Sequence, residues 1–102
     1  MEDQIATITP EEVKSRLKKG EAISLIDVRE DEEVAEGKIA EAKHIRMMEV
    51  PNRLDEINKD DEHIIICRSG RRSENVAYFL QENGFKVKNM VGGMLAYNQA
   101  SE

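Results

Sequence analysis

The stretch that decides the fold lies near the middle of the chain and reads Ile64-Ile65-Ile66-Cys67-Arg68-Ser69-Gly70-Arg71-Arg72-Ser73. Three consecutive isoleucines are typical of a strand that is buried on both faces of a parallel sheet. Cys67, the only cysteine of the chain, follows them and opens a short basic loop that contains Gly70. A helix is predicted to start at Ser73, which would cap it. This order of strand, loop and helix would place the thiol on a cradle of backbone N–H groups that stabilises a thiolate.

Other short apolar runs are predicted to form strands beside this one. The complete set of predicted strands is 5–8, 23–27, 42–45, 63–67 and 87–91. Because helical segments alternate with these runs, we expect an α/β fold with a mostly parallel five-stranded sheet and helices on both faces. Ligands of such sheets bind outside the carboxyl ends of the strands, where Asp27 and Cys67 are expected to lie.

Turn and cap residues mark the boundaries of the helices. Thr9-Pro10-Glu11-Glu12 combines an N-cap threonine, a proline at the first helical position and a glutamate three residues after the cap, which predicts a helix that runs to Lys19. A second helix is predicted over residues 73–83, with Gly84 as its left-handed stop. A terminal helix is predicted to begin over residues 94–97.

The loop at Cys67 resembles the active-site loop of the rhodanese (sulfurtransferase) family, which commonly reads Cys-Arg-x-Gly-x-Arg-Ser. The matching residues are Cys67, Arg68, Gly70, Arg72 and Ser73. Leu25-Ile26-Asp27-Val28-Arg29-Glu30 resembles the family's Asp-Val-Arg segment, and Gly92-Gly93 resembles its C-terminal Gly-Gly turn. Since these markers stand in the family's order and span nearly the whole chain, the resemblance implies a single rhodanese-like domain over residues 1–102.

One further segment departs from the family pattern. Residues 36–42 occupy the place of the family's Gly-His-Ile-Pro-Gly-Ala segment. Lys38 stands where the family usually has histidine, Ala40 where it has proline and Glu41 where it has glycine. These departures fall away from the Cys67 loop and therefore concern the backbone of that connection rather than the chemistry.

The resemblance implies transfer of a sulfane sulfur. The Cys67 thiolate would attack the outer sulfur of a donor such as thiosulfate and become a persulfide, which a thiol or cyanide acceptor would then discharge. Since the chain has no second cysteine, the acceptor has to be another molecule. The residues expected to bind the donor are Arg68, Ser69, Gly70, Arg71, Arg72 and Ser73. Asp27 and Arg29 are expected to support the structure, and at least one loop arginine is expected to dock a partner or to pair with a carboxylate such as Asp27.

Two alternative functions remain open. One is a sulfur-relay or docking module, in which Cys67 exchanges sulfur with a partner protein and thiosulfate is incidental. The other is a cysteine phosphatase or arsenate reductase of the same fold. Those loops read cysteine, five residues, arginine, whereas here Ser73 stands six residues after Cys67 and Arg72 comes one position early. The shorter loop leaves less room for a tetrahedral phosphate, which disfavours that class.

Length and composition bound the remaining possibilities. With 102 residues the chain has room for one domain that folds without disulfides or metal. A net charge of −6 disfavours binding to nucleic acid and to anionic membranes, and the apolar runs are too short to span a bilayer. One cysteine and no basic-then-apolar leader lead us to expect a cytoplasmic setting. Two histidines without clustered spacing predict no metal site, and no cofactor is expected.

Overall fold

Within residues 4–100, which a computed structural model of the chain describes, the backbone forms five strands. They are β1 (Thr7–Ile8), β2 (Ser24–Asp27), β3 (Lys43–His44), β4 (Glu62–Ile66) and β5 (Lys86–Met90). The α-helices are α1 (Pro10–Lys18), α2 (Asp31–Ala35), α3 (Arg71–Glu82) and α4 (Gly93–Gln99). Two short 3-10 helices, Met47–Asn52 and Leu54–Glu56, connect β3 to β4.

The five strands pair in parallel, in the order β1-β5-β4-β2-β3 within the described residues. The isoleucine strand β4 lies at the centre of the sheet, and Asp27 at the end of β2 is in register with Ile66 at the end of β4. The predicted α/β fold with a mostly parallel five-stranded sheet is confirmed. Asp27 and Cys67 therefore lie at neighbouring carboxyl ends, as expected from the order of the elements.

Alternate residues along β4 face two separate apolar clusters. Ile65 and Cys67 belong to the cluster that α3 covers, whereas Ile64 and Ile66 belong to the cluster that α1 and α4 cover. All four residues are at most 2% exposed. Burial of one isoleucine side chain contributes about 2 kcal/mol to stability. The isoleucine run therefore stabilises the strand that places Cys67 at the carboxyl end of the sheet.

The helix boundaries largely follow the predicted caps. The Glu12 N–H donates to the Thr9 Oγ1 at 3.1 Å, which confirms the predicted N-cap of α1. This helix ends at Lys18, one residue earlier than predicted. Gly84 follows α3 with a left-handed φ of 91°, as expected for a stop. No helix within residues 4–100 has both the length and the hydropathy that are needed to cross a membrane.

The predicted start of the second helix at Ser73 is wrong. Helix α3 begins at Arg71, and Gly70, with a left-handed φ of 96°, occupies the cap position without a side-chain hydrogen bond. The reason is that Gly70, three residues before Ser73, already turns the backbone into the helix. Ser73 is consequently the third residue of the helix, where it is fully buried and turned toward Cys67.

The segment that departs from the family pattern is held together by Lys38. Its ammonium group donates to the carbonyl of Ile39 at 2.9 Å and to the carbonyl of Ala42 at 2.8 Å. A third carbonyl, that of Ala40, lies 3.4 Å away. Lys38 thus binds the carbonyl groups of the turn that leads into β3. These hydrogen bonds hold the backbone of the connection in place without the family's proline.

Candidate active site

Cys67 directly follows β4 and lies against the first turn of α3. Its side chain is fully buried, with 0% of the residue exposed. The Gly70 N–H donates to the Cys67 Sγ at 3.1 Å, and the Ser73 Oγ lies 3.2 Å from the same sulfur. The left-handed φ of Gly70 is a conformation that glycine adopts without a steric penalty. The loop therefore closes around the sulfur and directs hydrogen-bond donors at it.

Two opposing effects set the pKa of Cys67. Burial raises this pKa, because a buried thiolate loses its hydration. Hydrogen bonds from the Ser73 hydroxyl and from the backbone amides of Ser73, Gly70 and Ser69 lower it. The hydrogen bonds outweigh burial, so the pKa of Cys67 lies below its usual value. A larger share of the sulfur is therefore thiolate at neutral pH than in a free cysteine.

Asn89 is a site residue that the sequence analysis missed. It lies in β5, is only 5% exposed, and donates through Nδ2 to the Gly70 carbonyl at 3.0 Å. Its Oδ1 accepts a short hydrogen bond from the Ser73 hydroxyl. Asparagine is unfavourable in strands, so an asparagine inside a run that reads as a buried strand is the signal that would have marked this position.

The Gly92-Gly93 turn brings α4 against the first residues of the loop. The Met94 N–H donates to the Cys67 carbonyl at 2.8 Å, and the Leu95 N–H donates to the Arg68 carbonyl at 3.0 Å. Gly93 has a left-handed φ of 58°, and a Cβ atom at this position would overlap the Arg68 carbonyl group. The close approach of α4 to the loop therefore requires glycine at position 93.

The three loop arginines divide into one paired and two unpaired side chains. Arg72 forms a bidentate ion pair with Glu33 of α2, with N–O distances of 2.8 and 2.7 Å. The Arg72 guanidinium holds the pKa of Glu33 at about 2. Arg68 and Arg71 are exposed and have no ion-pair partner among residues 4–100. One loop arginine thus pairs with a carboxylate as expected, but the carboxylate is that of Glu33 rather than Asp27.

Comparison with known proteins agrees with this geometry. The family described as "Rhodanese-like domain" matches residues 9–100. The chain belongs to the rhodanese family. The crystal structure of a rhodanese-like domain protein from Staphylococcus aureus superimposes with a TM-score of 0.88, shares 39% sequence identity, and is covered over 91% of each chain. The resemblance of the loop and of the Asp-Val-Arg and Gly-Gly segments therefore identified the family correctly.

Two relatives from Bacillus subtilis show which rhodanese domains are similar to this one. YtwF, provisionally named a sulfurtransferase, is 49% identical over 92% of this chain and 91% of its own length. YrkF, provisionally named a sulfur carrier protein, is 40% identical over 96% of this chain and 54% of its own length. These relatives support a sulfurtransferase or sulfur-relay role for this rhodanese domain.

Asp27 and Arg29 of the rhodanese domain form a buried ion pair. Asp27 is 1% exposed and Arg29 is 5% exposed, and the shortest N–O distance between them is 2.8 Å. The same guanidinium donates to the carbonyls of Glu33 and Gly37, at 3.2 and 2.8 Å. The pair therefore ties the end of β2 to α2 and to the connection that follows it, a geometry that suits the structural role expected of both residues.

The two histidines of the rhodanese domain form hydrogen bonds with groups other than Cys67. His63, at the amino end of β4, lies 2.6 Å from both the Ser24 hydroxyl and the Asn58 carbonyl. His44 lies 2.7 Å from the Arg29 carbonyl. Across residues 4–100, no group of three or more His, Cys, Asp or Glu side chains is placed to hold a metal ion. Neither histidine is therefore placed to act as a general base for Cys67.

Proposed function

We propose that this rhodanese domain is a sulfurtransferase that moves a sulfane sulfur from a donor such as thiosulfate, through a persulfide on Cys67, to a thiol or cyanide acceptor. The observation that carries the proposal is the buried Cys67 sulfur, which the Gly70 N–H and the Ser73 hydroxyl approach at hydrogen-bond distance. Donors in these positions stabilise negative charge on the sulfur in the thiolate that attacks the donor.

The chemistry needs no separate base. The Cys67 thiolate attacks the outer sulfur of thiosulfate, a new S–S bond forms, and the bond to the sulfonate breaks so that sulfite leaves with the electron pair. The thiolate of an acceptor, or cyanide, then attacks the outer sulfur of the persulfide and releases Cys67 as a thiolate. The acceptor must come from outside the chain, because Cys67 is its only cysteine.

Arg68 and Arg71 are the side chains best placed to attract an anionic donor. Both are exposed and unpaired within the described residues, while Arg72 is held by Glu33. Arg68 also lines a cleft of about 320 Å³ whose other walls include Lys38 and Leu95. Positive charge at the mouth of the loop would offset the net negative charge of the chain where a dianion has to approach.

The alternative of a cysteine phosphatase or arsenate reductase is disfavoured. Such enzymes need an arginine that faces the oxyanion within the loop. Here the nearest candidate, Arg72, comes one position early and directs its guanidinium at Glu33. The Gly70 and Ser73 donors also lie close to the sulfur, at 3.1 and 3.2 Å, which leaves little space for a tetrahedral group between them.

A second candidate function, sulfur relay to a partner protein, is favoured by the surface around the loop. Within residues 4–100, the large apolar side chains that remain exposed are Met48, Val91 and Leu95. Met48 follows β3, Val91 follows β5, and Leu95 lies on α4 beside Arg68, so all three belong to the carboxyl edge that holds Cys67. Apolar residues around a reactive centre suit contact with a protein better than contact with thiosulfate alone.

Turnover of the purified protein with thiosulfate and cyanide, followed as thiocyanate, tests the proposed function. Because the persulfide stands between two half-reactions, double-reciprocal plots at several cyanide concentrations should be parallel. Intersecting lines would contradict the persulfide intermediate. If sulfur moves from a cysteine desulfurase or to a sulfur-carrier protein at low concentration while thiosulfate turnover is weak, the relay function is the correct one.

Replacement of Arg68 or Arg71 by alanine is expected to raise KM for thiosulfate by about tenfold, equivalent to about 1.4 kcal/mol, with a smaller fall in kcat. Each exposed guanidinium attracts the dianion in the ground state and in the transition state alike, so its loss weakens binding more than chemistry. The increase in KM should shrink at high salt, since the Debye length is only about 8 Å at physiological ionic strength. The measurement is kcat and KM at low and high salt.

Two further variants serve as controls for this arginine experiment. Arg16→Ala removes the same charge from α1, where Arg16 pairs with Glu12, and should leave KM unchanged. Arg72→Ala breaks the pair with Glu33. It should lower the melting temperature and should raise KM by less than Arg68→Ala or Arg71→Ala does. Equal KM values for Arg68→Ala, Arg71→Ala and the unaltered protein would mean that the loop backbone alone binds the sulfur donor.

A further inference from the structure

Four residues around the sulfur form a closed ring of hydrogen bonds. The Gly70 N–H donates to the Cys67 Sγ at 3.1 Å, and that sulfur lies 3.2 Å from the Ser73 Oγ. The Ser73 hydroxyl is also bonded to the Asn89 Oδ1, and the Asn89 Nδ2 donates to the Gly70 carbonyl at 3.0 Å. One side chain, that of Asn89, therefore holds both the Gly70 peptide and the Ser73 hydroxyl beside the sulfur.

The orientation of the Asn89 amide follows from its partners. The Gly70 carbonyl can only accept a hydrogen bond, so it has to face the NH₂ group of Asn89, and the Oδ1 has to face Ser73. A serine hydroxyl carries a single hydrogen. Ser73 can therefore donate fully either to the Asn89 Oδ1 or to the Cys67 sulfur, but not to both at once.

The protonation state of Cys67 decides which acceptor Ser73 serves. In the thiol, the S–H can donate to the Ser73 Oγ while the Ser73 O–H donates to Asn89, so every group in the ring is satisfied. When the thiol proton leaves to solvent, the sulfur becomes an acceptor, and the Ser73 hydrogen must turn toward it. The Asn89 Oδ1, in a side chain that is only 5% exposed, then loses its donor.

We propose that Asn89 is a positioning residue for the nucleophile, which competes with the Cys67 sulfur for the Ser73 hydroxyl and so disfavours the free thiolate. In a persulfide the inner sulfur has neither a proton nor the full negative charge, and Ser73 can return to Asn89. On the proposed function, Asn89 thus destabilises the unloaded thiolate relative to the persulfide, which favours the loading step.

Charged groups lie near Cys67 on the loop and on α2, α3 and β2. Arg68 lies in the loop and Arg71 and Arg72 open α3, and the hydrogen bond with Glu33 raises the pKa of Arg72 above its usual value. Glu33, the partner of Arg72 on α2, has a pKa of about 2. Asp27 on β2 is paired with Arg29. Because Cys67→Ser keeps all of these groups, the difference between its titration and that of the unaltered protein reports on Cys67 itself.

Titration of the Cys67 thiolate by ultraviolet absorbance, with Cys67→Ser as the blank, tests this inference without any sulfur donor. Asn89→Val removes the competing acceptor and suits a strand, so the thiol pKa should fall by about half a unit to one unit, which gives about three to ten times more thiolate at low pH. Asn89→Asp keeps an acceptor for Ser73 and adds a charge, so its thiol pKa should rise. Lys88→Val, on the same strand, should leave it unchanged.

The inference requires that Asn89→Val lowers the thiol pKa through Ser73. A double-variant cycle tests this requirement. In the Ser73→Ala background the competition no longer exists, so Asn89→Val should produce no fall in the thiol pKa. An equal fall in both backgrounds, or no fall with Ser73 present, would overturn the inference. If Asn89→Val does not fold, the opposite shift expected of Asn89→Asp still decides it, because a lowered or unchanged pKa there contradicts the competition. None of these outcomes depends on whether thiosulfate is the donor.

Discussion

Replacement of Cys67 by serine is expected to reduce thiosulfate-dependent sulfur transfer by at least about a thousandfold. A serine hydroxyl remains protonated at neutral pH and is a much weaker nucleophile toward sulfur than a thiolate. Its oxygen also cannot carry the transferred sulfur as a persulfide. The measurement is kcat/KM for thiocyanate formation, with the unaltered protein and Cys67→Ser compared under identical conditions.

The thermal stability of the Cys67→Ser variant is the control for this loss. Serine is close to cysteine in volume, and its oxygen can accept the hydrogen bond from the Gly70 N–H that the sulfur accepts at 3.1 Å. A small change in melting temperature together with loss of turnover assigns the loss to chemistry. Substantial turnover in the serine variant would mean that another group carries the sulfur.

The second large effect is expected from Gly93→Ala. The left-handed φ of 58° at Gly93 strains any residue with a Cβ atom, and here that atom would also overlap the Arg68 carbonyl. Either α4 or the Cys67 loop has to move, so the hydrogen bonds from Met94 and Leu95 to the loop are distorted. We expect a loss of about 3 kcal/mol in the free energy of unfolding and a marked fall in kcat. Chemical denaturation and turnover measure the two effects.

Gly20→Ala provides a matched control for the alanine at position 93. Gly20 also has a left-handed φ, of 79°, but apart from its two chain neighbours no residue in the range 4–100 has an atom within 4 Å of the place its Cβ would occupy. It should therefore show only the backbone cost of about 1 kcal/mol, with turnover unchanged. If Gly20→Ala and Gly93→Ala lose the same stability and activity, the contact between α4 and the loop does not matter for the site.

Local sequence patterns were enough to predict the central architecture. The isoleucine run before Cys67, the Thr9 cap and the alternation of strands and helices are all local features, and each has the predicted structural counterpart. The bounds of the outer strands were less accurate, since β1 and β3 contain only two residues each. Short edge strands are defined by their pairing partners, which local sequence does not reveal.

The parts of the site that the sequence did not predict depend on contacts between distant residues. Ser73 reads as a helix cap in isolation, but the turn at Gly70 places it inside α3 and against the sulfur. The contact between Ser73 and Asn89 joins α3 to β5, and the pair of Arg72 with Glu33 joins α3 to α2. Such partners become visible only when the sheet order brings the carboxyl ends of the strands together.

The most direct test of a Cys67 persulfide is the intact mass of the purified protein before and after incubation with thiosulfate. We expect the mass to increase by one sulfur atom, to return to its original value after treatment with a reductant, and to stay constant in Cys67→Ser. Release of sulfite in equal amount should accompany the increase, because one sulfonate leaves for each sulfur that is bound. An unchanged mass in the active protein, or an equal gain in the serine variant, would contradict sulfur transfer through Cys67.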